Sequence, residues 1–181
     1  MKSKITLFFL ATLVMLSCSK DNSIEQETFT ETIDRRLEPG DIDDGTNGDP
    51  NVIYEDFLLA GQNMDSGTVT VTVEGGNVVV NYSTNQDWVI TETHLFVGDI
   101  NDLPTNGGGN PRIGHFPFSG EHTNGTTDVT YTTLGIEEGD CVYIAAHAVV
   151  TNIITGETET AWANGDPIGG NSWAMGFEAC Y

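Results

Sequence analysis

The fold is decided by the sequence TVTVTVE-GG-NVVVNY at residues 68–82. Polar and apolar side chains alternate along its first half, which is the period of two of a β-strand with one buried face. The pair Gly75-Gly76 then separates this run from a second run rich in valine. Two glycines at such a point are typical of the tight turn of a hairpin. The stretch therefore predicts an antiparallel β-hairpin.

Outward from this hairpin, similar runs recur along the chain. Glycine, asparagine and aspartate stand in the gaps between them, and no stretch after Val52 has a convincing helical period. The further strand candidates are residues 57–60, 88–97, 126–134, 140–151, 157–163 and 172–181. Short strands at this spacing predict an all-β domain over residues 51–181, an antiparallel β-sandwich or jelly roll of about eight strands.

The N-terminal residues predict export. Two lysines precede an apolar run at residues 5–16, which is too short to span a bilayer and suits a secretory signal. Ser17-Cys18 resembles a lipobox, in which the cysteine is lipidated, although Met15 departs from the usual leucine. We therefore expect a lipoprotein signal peptide over 1–17, lipid on Cys18 and a membrane contact through that anchor. The alternative is an ordinary signal peptide with a chance cysteine.

Residues 18–50 are polar and acidic, and they contain too little apolar surface to offset the entropy of ordering them. We expect a flexible tether that holds the domain away from the membrane. The polar stretch at 19–22 is similar to the segment after the lipidated cysteine in Bacteroidota surface lipoproteins. That similarity implies an outer-membrane or cell-surface lipoprotein.

Charge excludes one large class of partners. The chain has 27 Asp and Glu against 6 Lys and Arg, a formal net charge of −21, and residues 51–181 contain 17 carboxylates with Arg112 as the one fixed cation. Such a surface repels phosphate backbones, so nucleic-acid binding by counterion release is excluded.

Two cysteines remain after Cys18, namely Cys141 and Cys180. An oxidising compartment pairs them, and the bond would hold the C-terminal strand against an earlier one. The alternative is two buried free thiols.

Several motifs of the C-terminal half occur together: ETHLFVG at 92–98, GNP at 109–111, GHFP at 114–117, AAHAVV at 145–150, ETAWA at 159–163 and WAMGF at 173–177. This series resembles a module of uncharacterised secreted and surface-anchored bacterial proteins, over roughly residues 88–181. The resemblance implies an extracellular β domain and leaves its activity open.

The sequence offers little for catalysis. A Ser or Cys hydrolase needs an activated nucleophile, but no Gly-x-Ser-x-Gly motif is present and the domain cysteines are assigned to a disulfide. Glycoside hydrolysis needs only two carboxylates at a suitable separation, so it stays open.

Two kinds of metal site are candidates. His94, His115 and His122, with the neighbouring carboxylates Glu92 and Glu121, have the ligand types of a zinc site. The alternative is that His94 and His147 are hydrogen-bonded sheet residues and the other histidines are solvated.

Calcium is the better-motivated ion, because the long loop at 99–125 is rich in the hard oxygen ligands that calcium prefers. The predicted ligands are Asp99, Asp102 and Glu121. No other cofactor is indicated.

Aromatic side chains beside polar acceptors suit sugar rings, although aromatics in a sandwich often belong to the core. Trp162 lies at a predicted strand end, and we take Trp162, His115 and Asp166 as candidate ligand-binding residues.

The sequence thus predicts a lipid-anchored cell-envelope protein whose β-sandwich is a non-catalytic binding module for an extracellular glycan or protein. The alternatives are a structural or adhesive surface protein without a small ligand, and a glycan hydrolase.

Overall fold

The computed structural model describes residues 51–181. The predicted signal peptide at 1–17, the lipidation site Cys18 and the tether at 18–50 lie outside the described residues. Within them are ten strands: β1 (Val52–Ala60), β2 (Met64–Glu74), β3 (Asn77–Thr84), β4 (Trp88–Gly98), β5 (Phe118–Glu121), β6 (Asp128–Gly135), β7 (Cys141–Asn152), β8 (Thr158–Ala163), β9 (Asp166–Pro167) and β10 (Met175–Cys180). Two short 3₁₀ turns, Ile100–Asp102 and Ile113–His115, lie between β4 and β5.

The strands form one antiparallel sheet in the order β5-β4-β7-β8-β1-β2-β3-β6, with β10 added beside β7. The sheet curls until it is nearly closed and barrel-like. The prediction of an all-β antiparallel domain is confirmed. The expected sandwich or jelly roll needs two separate sheets, and the continuous hydrogen-bonded path from β5 to β6 does not divide clearly into two.

The predicted hairpin is confirmed as β2 and β3. Gly75 and Gly76 have φ values of +56° and +77°, the left-handed conformation that glycine adopts without steric cost. Val71 lies opposite Val80 and Val69 lies opposite Tyr82 across the pair, and all four side chains are buried. The alternating pattern of the sequence is therefore the inner face of the barrel-like sheet.

Strands β4, β7 and β8 are buried on both faces. Their inner faces contribute Leu95, Ile144 and Ala161 to the main core. Their outer faces contribute Phe96 and Trp162, with others, to a second core that is covered by two loops. Burial on both sides explains why β7 reads as a nearly continuous apolar run instead of an alternating one.

A disulfide joins Cys141 to Cys180, as predicted. The two residues lie directly opposite each other where β10 pairs with β7. The bond therefore ties the last strand to the longest strand of the sheet.

Candidate functional site

Two loops cover the outer faces of β4, β7 and β8, and we call residues 99–117 and 164–175 together the loop layer. Asn110 joins them, because its Oδ1 accepts hydrogen bonds from the backbone N–H groups of Asn171 at 2.8 Å and Ser172 at 2.9 Å. A Cβ atom added at Gly170 would lie 2.4 Å from that oxygen, so the close approach requires glycine. These hydrogen bonds join two loops that are distant in sequence into one covering layer.

Trp162, a candidate ligand-binding residue from the sequence, lies beneath the loop layer. Only 6% of the residue is exposed. Its ring packs against His147 at a centroid distance of 4.9 Å and against Phe116 at 6.4 Å. The sequence placed Trp162 at a strand end, but the covering loop turns that end into an interior position.

The other two predicted ligand-binding residues are exposed. His115 ends the second 3₁₀ turn, and Asp166 begins β9. Among residues 51–181, no hydrogen bond, ion pair or ring contact joins either of them to Trp162. The structure therefore does not bring the predicted set together.

The predicted calcium ligands are also separated. Asp99 follows the C-terminal end of β4, and its Oδ1 accepts a hydrogen bond from the Asn101 backbone at the first 3₁₀ turn, which contains Asp102. Glu121 lies opposite Glu92, seven residues earlier along β4. At about 3.4 Å per residue that separation is about 24 Å, too long for one ion to span. Calcium binding at Asp99 and Asp102 stays a prediction.

The candidate zinc ligands point to opposite sides of the sheet. Thr93 faces inward, where its Oγ1 shares a hydrogen bond of 2.7 Å with His122 Nε2. The next residue, His94, faces outward, where its Nε2 lies 3.2 Å from Glu92 Oε1. Consecutive strand residues cannot direct their side chains to one centre, so a zinc site that uses both histidines is not formed.

His94 and His147 form a buried pair on the outer face. They are cross-strand partners, with ring centroids 5.5 Å apart and exposures of 8% and 2%. Within the described residues, the Nδ1 atom of each ring has no hydrogen-bond partner. Burial, followed by the neighbouring His94, lowers the pKa of His147 from 6.5 to about 4. His147 is consequently held neutral at physiological pH, and its protonation opposes folding.

One series of hydrogen-bonded side chains has the residue types of a hydrolytic site. Thr93 Oγ1 lies 2.7 Å from His122 Nε2 and 2.7 Å from the Tyr131 hydroxyl. Thr93 is fully buried, so its hydroxyl is closed to a substrate from solvent. The Tyr131 ring also packs against Phe118 with a centroid distance of 6.0 Å. Phe118 is in β5 and Tyr131 is in β6, the two edge strands between which the barrel-like sheet does not close. The contacts of Tyr131 with Thr93 and Phe118 therefore join these two edges.

A surface cleft of about 340 Å³ opens beside the disulfide, and we call it the acidic cleft. Four segments meet there: the end of β4 with the start of the loop layer, the end of β6, the start of β7, and β10. It is lined by Gly98, Asp99, Ile100, Leu134, Cys141, Val142, Tyr143 and Glu178.

The lining of the acidic cleft combines apolar surface with carboxylates. Ile100 is 55% exposed and Leu134 is 37% exposed, so two aliphatic side chains face solvent in the cleft. Asp99 and Glu178 are exposed beside them. Burial, followed by the charge of Asp166, raises the pKa of Tyr143 above 10, so its phenol is neutral. The cleft thus combines exposed apolar side chains with two carboxylates.

Sequence reasoning missed Ile100, Leu134 and Glu178, whereas Tyr143 was among the aromatic residues considered for contact with a sugar ring. One local signal was available, because Ile100 is an isolated aliphatic residue at the start of a polar loop. The other residues come together only through the sheet order, because β10 pairs with β7 in the folded molecule.

No helix among residues 51–181 has the length and apolar character needed to cross a lipid bilayer. Comparison of the chain with protein-family models, with curated proteins and with solved structures finds no match.

Proposed function

We propose that this protein is an exported, lipid-anchored, non-catalytic binding module of the cell envelope, and that its ligand occupies the acidic cleft. The observation that carries the proposal is the cleft itself: exposed aliphatic side chains stand beside two exposed carboxylates, next to the Cys141–Cys180 bond. Contiguous apolar surface with a polar rim is typical of interaction sites.

Export and anchoring rest on the N-terminal sequence and the disulfide. The apolar run at 5–16 followed by Ser17-Cys18 has the order of a lipoprotein signal. Disulfides persist mainly in oxidising compartments, which supports a location outside the cytoplasm. We place the protein at the outer membrane or the cell surface, attached through lipid on Cys18.

Binding is favoured over catalysis by the geometry of the reactive groups. Thr93, the residue that is hydrogen-bonded to a histidine, is fully buried. The carboxylates of Glu92 and Glu121 face each other on adjacent strands, but Glu92 is engaged with His94 and both stand on the outer face of the sheet. A glycan hydrolase needs two carboxylates across a substrate-binding cleft. Neither lines the acidic cleft. The two carboxylates that do, Asp99 and Glu178, are both exposed, whereas the general acid of a glycosidase is held in an apolar pocket. Asp99 Oδ1 is also engaged by the backbone and the side-chain amide of Asn101.

The size of the acidic cleft limits its ligand. Its volume of about 340 Å³ is at the small end of the range for ligand pockets. One sugar ring or one long side chain of a protein partner has the matching size. A purely structural or adhesive protein has no need of such a feature, although an adhesive role remains compatible with a protein ligand.

The test is a binding screen with the purified full chain against arrayed glycans and peptides, with and without a calcium chelator. We expect at least one class to be retained, and we expect Ile100→Gln to lower its retention about tenfold. Ile154→Gln is the matched control, because Ile154 is 74% exposed and is not part of the cleft. Retention of nothing, or equal loss in both variants, would refute the proposal.

A further inference from the structure

We propose that the acidic cleft recognises a lysine or arginine side chain presented by a basic segment of a partner protein. This inference rests on the function proposed above and names its ligand class. It follows from the charge of the cleft, from the arrangement of its lining groups and from the charge around it.

The lining of the acidic cleft contains two carboxylates, Asp99 and Glu178, and no cationic side chain. The domain offers almost no internal neutralisation, since residues 51–181 have 17 carboxylates and one fixed cation, Arg112. Arg112 is in the loop layer and does not line the cleft. Asp99 Oδ1 already accepts hydrogen bonds from the backbone N–H and the side-chain amide of Asn101. Asp99 Oδ2 and the exposed Glu178 carboxylate are therefore the acceptors offered to an external cation.

The arrangement of the lining matches an amphipathic cation. Lysine and arginine carry a long aliphatic stem below a charged head, and the stem packs on apolar surface while the head stays polar. Ile100 and Leu134 provide exposed aliphatic surface for the stem. Asp99 and Glu178 provide acceptors for charge-assisted hydrogen bonds to the head.

A sugar ring fits the same lining less well. Sugar hydroxyls both donate and accept hydrogen bonds, so they need donors as well as acceptors around them. Among the side chains of the acidic cleft, Tyr143 carries the one hydroxyl, and there is no amide, guanidinium or ammonium donor. The set is dominated by acceptors, and a cationic donor satisfies it better.

The charge outside the acidic cleft extends the preference from one cation to a basic segment. Glu137, Glu138 and Asp140 are exposed and immediately precede Cys141, which lines the cleft. Asp102 is exposed two residues after Ile100. A partner with further lysine or arginine residues on either side of the bound one meets negative potential in both directions, which raises its association rate.

The experiment measures binding of a fluorescein-labelled nonapeptide of alternating lysine and serine to the full chain, by anisotropy in about 0.15 M NaCl. The same peptide with Nε-acetylated lysines tests the need for charge. The cleft variant is Asp99→Asn with Glu178→Gln, which keeps shape and removes two charges. The matched control is Asp87→Asn with Glu157→Gln, which removes two exposed charges at the opposite ends of β4 and β7.

We expect the cleft variant to weaken binding at least tenfold, the control variant to weaken it less than twofold, and acetylation to abolish it. Attraction by net charge alone would be lowered equally in both variants, and that result would overturn the inference. Binding of an uncharged glycan that is lost in Ile100→Gln, without binding of the peptide, would overturn the inference and keep the proposed function. Binding of neither probe class would remove both.

Discussion

Acidification should destabilise this domain through His147, the buried histidine beneath the loop layer. The pKa of His147 is about 4 in the folded protein and 6.5 when the residue is unperturbed. Between these values the unfolded chain binds a proton that the folded chain does not, so the free energy of unfolding falls as the pH falls. The contribution is complete above pH 6.5 and is lost by about pH 4.

The magnitude follows from the size of the shift. A difference of about 2.5 pKa units at about 1.4 kcal/mol per unit corresponds to about 3 kcal/mol. No carboxylate contacts His147 among the described residues: it packs against the His94 and Trp162 rings. A positive charge on it would therefore be buried without a counterion, which is the physical origin of the loss.

The assay is urea denaturation followed by tryptophan fluorescence, to which Trp88, Trp162 and Trp173 all contribute. Protonation of the many carboxylates also changes stability with pH, so the informative quantity is the difference between wild type and His147→Gln. We expect this difference to change by about 3 kcal/mol between pH 7 and pH 4. His115→Gln, which changes an exposed histidine, should keep the wild-type pH dependence.

Identical pH dependence in wild type and His147→Gln would refute the reasoning. If the variant does not fold, NMR titration of the wild-type imidazole answers the same question. A ring that protonates near pH 6.5 contradicts the buried neutral state, and one that stays neutral below pH 5 supports it.

Three further predictions concern the anchor, the disulfide and the loop layer. Labelled fatty acid should be incorporated into wild type and not into Cys18→Ala, and equal labelling would remove the lipoprotein proposal. Cys180→Ala should lower the free energy of unfolding by about 2 to 4 kcal/mol, because the bond to Cys141 closes a loop with a sequence separation of 39; unchanged stability in non-reducing urea titrations would contradict this. Asn110→Ala removes the acceptor of two backbone hydrogen bonds and should cost about 1 to 3 kcal/mol. In that variant, amide exchange at residues 164–175 should accelerate while β2 stays protected. Unchanged exchange would show that the Asn110 hydrogen bonds do not stabilise the loop layer.

The parts of the fold that local sequence determines were predictable. The hairpin of β2 and β3 needs only an alternating pattern and a turn that glycine permits, and both are visible within residues 68–82. The Cys141–Cys180 bond was predictable because two domain cysteines have one pairing. The hairpin depends on a short stretch of sequence, and the disulfide depends only on the number of cysteines in the domain.

The closure of the sheet and the candidate site were not predictable in the same way. Glu121 was grouped with Asp99 because both fall in one stretch of loop, but residues 118–121 pair with the middle of β4 and carry Glu121 away. Trp162 was taken as a candidate ligand-binding residue because it lies at a predicted strand end, yet loops from two distant segments cover it. Both errors arise from tertiary contacts that no local pattern encodes.

The outer face of β7 explains why the acidic cleft is separated from the buried pair His94 and His147. Tyr143, Ala145 and His147 follow one another on that face at a spacing of two. Ala145 leaves room for Phe96, its cross-strand partner, and Phe116 packs over Phe96 at a centroid distance of 6.1 Å. This aromatic pair separates solvent at Tyr143 from the neutral ring at His147. The loop layer that contains Phe116 begins with Asp99 and Ile100, which line the acidic cleft. The cleft therefore keeps its shape only if the loop layer stays in place.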